Sequence, residues 1–431
     1  MTVQDSAHHS THGSAQDSAQ DSAQLPADLQ DERLIASRGL SGAVGAFTSR
    51  LRSGDLGSVP VVIGLIIIWA VFQVANSSFL SSRNLVNLTL QTTSVGVIAL
   101  GIVLVLLLGE IDLSVGSVSG FAGAVVGVTF VNQGWPVVLS LLAGVALGIG
   151  VGLFYGLLYT RFGVPSFVIT LAGLLGFLGL QLLVLGKDGT INLPYDSPLV
   201  GFATRSFLSP AIAYGLVALV VVVYTLTRLQ GRSARAAAGR SAPPTSYIAV
   251  KAAGLAVVLL VPVLVLNGDR GVSSMFLLFL ALVVVTDLAV RRTRWGRSVF
   301  AVGGNVEAAR RAGINVRMIY LSVFAACTTF AAVGGILAAA RLVAVSQSSG
   351  GTDTNLNAIA SAVIGGTSLF GGRGSAYSAL LGALVITSIS NGLALLSLDS
   401  NVRYIVTAGV LLIAVTIDSL SRRSRQAHGR A

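Results

Sequence analysis

The chain has 431 residues, 53% of them hydrophobic and 10% charged, where a soluble domain carries roughly 25% charged residues. That balance, with a mean hydropathy of +0.82, excludes an ordinary water-soluble globular domain. The net charge of +11 must therefore be read as arginines placed about a membrane before it is read as a nucleic-acid footprint. Cys327 is the only cysteine and lies in an apolar run, which excludes a disulfide framework and a thiolate metal site.

Residues 1–56 are polar, carry the low-complexity run AQDSAQDSAQ at 15–24, and have too little apolar content to bury a core, so a disordered cytoplasmic tail is expected there. His8, His9 and His12 in that tail lack an acidic or cysteine partner and are not read as a metal site. No apolar segment with a small-residue cleavage site near the start suggests a cleaved leader.

From 57 to 420 the pattern is that of an all-α polytopic membrane protein with about 10–12 transmembrane helices, some broken or re-entrant. Apolar runs fall at 59–75, 85–109, 113–132, 136–159, 165–186, 208–227, 247–266, 274–290, 318–340, 357–371, 376–396 and 401–418, with 357–371 short enough for a half-helix. Placing both termini in the cytoplasm puts 22 of the 28 basic residues on the inside, and this asymmetry favours twelve crossings of the cell membrane. A basic cytoplasmic linker at 228–246, containing RLQGRSARAAAGRSAPP, separates six runs from six and reads as a solvated loop. Residues 421–431 form a basic cytoplasmic tail.

The longest polar interruption is 291–317, with seven arginines and paired glycines at 303–304. Its second half reads as a short helix. Asn305 caps it, Glu307 suits the positive end of its dipole, Arg310 and Arg311 the negative end, and Gly313 stops it. A capped helix outside the bilayer suits docking of a soluble partner; a loop that only fixes orientation is the other reading, and both remain open on charge alone.

Polar residues inside spans are costly and so mark candidate functional positions. Glu110, Asp112 and Ser114 interrupt a nearly continuous apolar stretch, with Gly109 and Gly116 permitting a backbone break; either a hydrated gate or a helix cap by Asp112 accounts for them. The stretch SQSSGGTDTNLN at 346–357 supplies Asp353, Asn355 and Asn357, whose groups can hydrogen-bond a polyol. The glycine pairs at 365–366 and 371–372 serve either as helix-packing surface or as non-helical backbone. Asn87 and Gln91, one turn apart, complete the candidate pathway, and Asp287 is expected to pair with Arg291. No phosphate-binding G-x-x-x-x-G-K-[ST] motif occurs, so no ATP hydrolysis by this chain itself is expected, and neither is a catalytic residue or a metal site.

Three motifs in order, GEIDLSVGS at 109–117, GRSVFAVGGNVEAARRAGI at 296–314 and AIASAVIGGTSLFGGRGS at 358–375, resemble the membrane permease of bacterial ABC importers for monosaccharides, in the ribose/xylose/galactose branch. The resemblance runs from about 59 to 418. The extra pair of spans at about 208–270, and Glu110 where many relatives have glycine, are most similar to the xylose type. The resemblance implies that Gly303, Gly304, Asn305, Glu307, Ala308, Ala309 and Gly313 form the helix that couples to a separate cytoplasmic ATPase. It also implies an extracytoplasmic sugar-binding protein, a second permease copy, and no cofactor beyond the ATP held by the partner. Two departures stand out: the family's isoleucine and Leu-Pro pair after the coupling glycine are missing, and Asn355 and Asn357 stand where an acidic pair is usual. A branched-chain amino acid permease and an ion-coupled carrier using Glu110 and Asp112 are the competing readings.

Overall fold

The computed structural model describes residues 59–399 and scattered positions between 401 and 416; the expected tails at 1–56 and 421–431 lie outside the described residues. Helices follow one another as α1 Val59–Ala75, α2 Ser82–Leu107, α3 Val115–Gly127, α4 Val137–Phe162 and α5 Ser166–Leu185. After strand β1, Thr190–Asn192, come α6 Pro198–Thr204, α7 Pro210–Ala237, α8 Thr245–Leu266 and α9 Ser274–Arg292. The remainder comprises α10 Arg294–Gly304, α11 Val306–Arg311, α12 Val316–Leu342, strand β2 Ala344–Ser346, α13 Thr352–Ile364 and α14 Ala376–Leu395. Among the described residues nine helices are long and apolar enough to cross a membrane, so the chain is an all-α polytopic membrane protein. The β structure among the described residues is a two-stranded antiparallel ladder that pairs Thr190 with Ser346 and Asn192 with Ala344, and an isolated bridge between Phe207 and Ser273.

Two compact units divide the described residues. The smaller, Ala218–Val257, holds the facing ends of α7 and α8 and the turn between them. Here the expected solvated loop is mostly helix: α7 continues to Ala237, because the alanines, arginines and Gln230 of this stretch are good helix formers. The turn is drawn tight by Arg232 Nε on the Pro243 carbonyl at 3.0 Å and Arg235 Nε on the Ser241 carbonyl at 2.8 Å.

In the larger unit α2 is the axis. Its most apolar window is 89% buried, between α12 on one side and α13 and α14 on the other. Without a hydrophobic drive between helices in lipid, small residues decide which faces meet. Gly148, Gly152 and Gly156, one turn apart on α4, press on the backbone of α12 at Thr328, Phe324 and Leu321. Gly365 and Gly382 bring α13 and α14 together in the same way, on the Ser378 and Ser361 carbonyls, so that glycine surface is for packing.

Two crossings are broken, and they enter from opposite faces. After Leu107 the chain turns back: Asp112 reaches Cys327, whose backbone lies against Gly101 of α2. Gly101 is six residues before the end of α2, so at 1.5 Å per residue the extended leg 110–114 climbs roughly 9 Å into the bundle before α3 begins. α3 then ends in a π-helical turn, Val128–Asn132. The second broken crossing starts at β2, which packs through Val345 on Gly127 at the far end of α3. A leg, 346–351, built on a hydrogen-bonded turn at 347–350, runs along α3, and the short helix α13 continues toward the Leu107 end. The apolar run at 357–371 is thus the second part of a half-helix, ending at Ile364, followed by non-helical backbone.

Candidate coupling and translocation site

All three sequence motifs meet at the C-terminal end of α2. The Leu107 carbonyl, one of the orphan acceptors of a helix end, accepts from the Gly372 amide at 2.9 Å. Gly303 of α10 stacks on that same carbonyl with no room for a methyl, and Gly371 sits against the Gly303 carbonyl and the Gly109 amide.

The 291–317 loop is more ordered than its sequence suggests, because its first half is also helical. α10 buries Gly296, Val299 and Val302 at helical spacing, and Trp295 Nε1 donates to Ser322 Oγ at 2.8 Å. Only α11 was legible, and it is built as expected. Asn305 Oδ1 accepts from the Ala308 amide at 2.9 Å, Glu307 pairs with Arg310 at 2.9 Å and Arg311 at 3.4 Å, and Gly313 stops the helix at φ +80°. Ala309 is the anchor, 3% exposed. Gly304, Asn305, Glu307, Ala308 and Gly313 all face outward, so the helix presents a surface instead of filling one.

In the leg 110–114, Tyr159 donates to Glu110 Oε1 at 2.6 Å and Ser166 to Oε2 at 2.5 Å. Asp112 is fully buried. Its Oδ1 accepts from the Ser114 amide at 2.8 Å and the Ser114 hydroxyl at 2.7 Å, and its Oδ2 from Cys327 Sγ at 3.7 Å. Asp112 therefore turns the backbone into α3, as the capping reading has it, while Ser114 in turn accepts from Tyr155 at 2.8 Å. Both acids are held by neutral donors, and no cation pairs with either among the described residues.

Across α3, Asn355 Nδ2 donates to the Leu113 carbonyl at 2.6 Å and joins the two broken crossings. Asp353 lies exposed in the first turn of α13, and Asn357, one turn later on the same face, is half-buried and turned away from Asn355. Asn87 is not part of this cluster: its Oδ1 accepts from Arg270 at 2.6 Å near the opposite end of α2, with Gln91 half-buried one turn deeper. Asp287 pairs with Arg291 at 2.8 Å as expected and also accepts from Ser375 at 3.2 Å.

Several residues at the site, Ser166 among them, escape a reading of the sequence. Tyr155 and Tyr159 were hidden as ordinary aromatics in an apolar helix, although their spacing of one turn was a usable signal. Gln181, a lone amide amid leucines and glycines, is fully buried and is the clearer omission. No group of three or more His, Cys, Asp or Glu able to hold a metal occurs among the described residues.

A family model described as branched-chain amino acid transport system / permease component matches residues 84–415. The chain is 36% identical to the xylose transport system permease protein of Escherichia coli K12 over 376 residues, covering 87% of this chain and 95% of the relative. The corresponding Haemophilus influenzae protein is 36% identical over 378 residues, covering 87% and 99%. The ribose import permease protein of Escherichia coli K12 is 30% identical over 358 residues, covering 83% and 92%. No solved structure matches. Nine apolar spans among the described residues, three motifs gathered at one helix end and a match over most of its length make this chain a member of that family of membrane transport permeases.

Proposed function

We propose that this chain is the transmembrane permease subunit of an ABC importer for a monosaccharide, xylose or a related pentose or hexose, in the cell inner membrane. The Leu107 face is then cytoplasmic, with both termini on that side. A separate ATPase subunit docks on α11 and supplies the energy; this chain holds no ATP and needs no cofactor. An extracytoplasmic binding protein delivers the sugar, and a second copy of the permease completes the pathway.

The observation that carries this reading is the contact of Gly303 with the Leu107 carbonyl and Gly371. A push on the exposed surface of α11 passes through α10 into the junction where both broken crossings end. Glu110, Asp112, Ser114, Asp353, Asn355 and Asn357 lie on those crossings and would gate the path, and Asn87 and Gln91 would line its other end. The family description names branched-chain amino acids, but amides at 355 and 357 suit a neutral polyol better than a zwitterion. The test is co-purification from the native membrane with mass spectrometry. An ATP-binding subunit that is retained by the intact chain and lost when 308–313 is disrupted supports the reading. The chain alone, transporting in liposomes without ATP, overturns it.

A further inference from the structure

Most hydrogen bonds of the leg 346–351 lie within its own turn, Ser349 amide to Ser346 carbonyl at 3.0 Å and Gly351 amide to Ser348 carbonyl at 3.2 Å, and beyond the β1–β2 ladder its backbone reaches out through the Gln347 amide to the Gly189 carbonyl at 3.0 Å. Gln181 Nε2 donates to the Ser346 and Ser349 carbonyls, both at 2.9 Å, and Gly350 nests against Gly116 and Gly120 of α3 so closely that a methyl on any of the three would press on the facing backbone. No large apolar side chain pins this stretch. Two buried carboxamide oxygens flank it without a donor: Oε1 of Gln181, which is fully buried, and Oδ1 of Asn355, which is 3% exposed. Buried acceptors are nearly always satisfied, so two orphans beside one glycine-lined turn call for an explanation.

Resting on the permease reading above, we propose that the leg 346–351 is the movable gate of the pathway, latched by Gln181, and that its release turns the Gln181 and Asn355 carboxamides toward the hydroxyl groups of a passing neutral polyol. Each carboxamide offers both donors and an acceptor without charge, which matches a hydroxyl-rich solute and cannot trap it as an ion would. The β1–β2 ladder fixes the outer end of the leg, so the swing is confined to the glycine-lined part.

The experiment uses the complete importer in liposomes loaded with labelled xylose. Wild-type uptake with ATP is measured first, because its absence would sink the importer reading and not the gate. The Gln181→Leu complex is then followed for efflux without ATP. Loss of both latch bonds is expected to raise that leak about tenfold, which mere misfolding of a subunit that still assembles would not do. Leak at the wild-type rate in an assembled complex overturns the proposal. If Gln181→Leu does not assemble, Asn355→Cys is treated with a membrane-impermeant thiol reagent, using the parent chain with Cys327 as the baseline. Faster labelling during ATP-driven turnover supports the gate, and equal labelling with and without turnover overturns it.

Discussion

The Leu107 carbonyl receives the Gly372 amide at 2.9 Å, so the end of the central helix and the end of the second broken crossing share one hydrogen bond. Gly303 closes the same junction from the side of the 291–317 loop.

Gly303 and Gly304 are therefore expected to fail differently. A side chain at 303 meets backbone, whereas one at 304 meets nothing within 4 Å. Gly303→Val should lower the melting temperature of the detergent-purified protein through an overpacking cost of about 1–3 kcal/mol. Gly304→Val should leave melting unchanged and reduce uptake alone, since that position faces the docking surface. Equal melting of the two variants would count against the junction.

Glu307→Lys should abolish uptake without lowering the amount of protein in the membrane. The ion pairs it breaks are largely exposed, with Glu307 56% and Arg310 64% accessible, and such pairs contribute a few tenths of a kcal/mol. Normal uptake by this variant would remove α11 from the coupling role.

Tyr159→Phe removes a donor to a carboxylate and Tyr155→Phe a donor to a hydroxyl. Hydrogen bonds to charged groups contribute about 1.5–3 kcal/mol and neutral ones about 0.5–1.5 kcal/mol, so the Tyr159 variant should melt at the lower temperature. A thermal scan of both decides the order.

Asp112→Asn keeps an oxygen to accept from the Ser114 amide, whereas Asp112→Ala leaves the Ser114 amide without its partner. The alanine variant should be the less stable by about 1–3 kcal/mol. If the two are equally stable, the turn into α3 does not depend on that oxygen.

Much of this was legible because hydropathy counts spans well and because capping chemistry is local. Asn305, Glu307 and Gly313 announce α11 within nine residues, and the Asp112–Ser114 turn is equally short-range. α10 was missed because its apolar face, Val299 and Val302, is narrow and interrupted by arginines. The linker after Arg228 was misread as a loop because charge was weighted above helix propensity. Gln181 and the tyrosines could not be assigned from the chain because their partners lie far away in sequence, and the burial that gives a lone amide its meaning is tertiary. The separation of Asn87 from Asn355 is tertiary in the same way: one answers to Arg270 and the other to Leu113.

The two broken crossings also bear on how the protein is made. Their legs carry main-chain carbonyls answered by side chains from elsewhere: Leu113 by Asn355, and Ser349 by Gln181. A nascent α3 leaving the ribosome has no such partner until α13 has been synthesised, and hydrocarbon offers none. The first broken segment is thus complete only once the second has arrived to pair the Leu113 carbonyl.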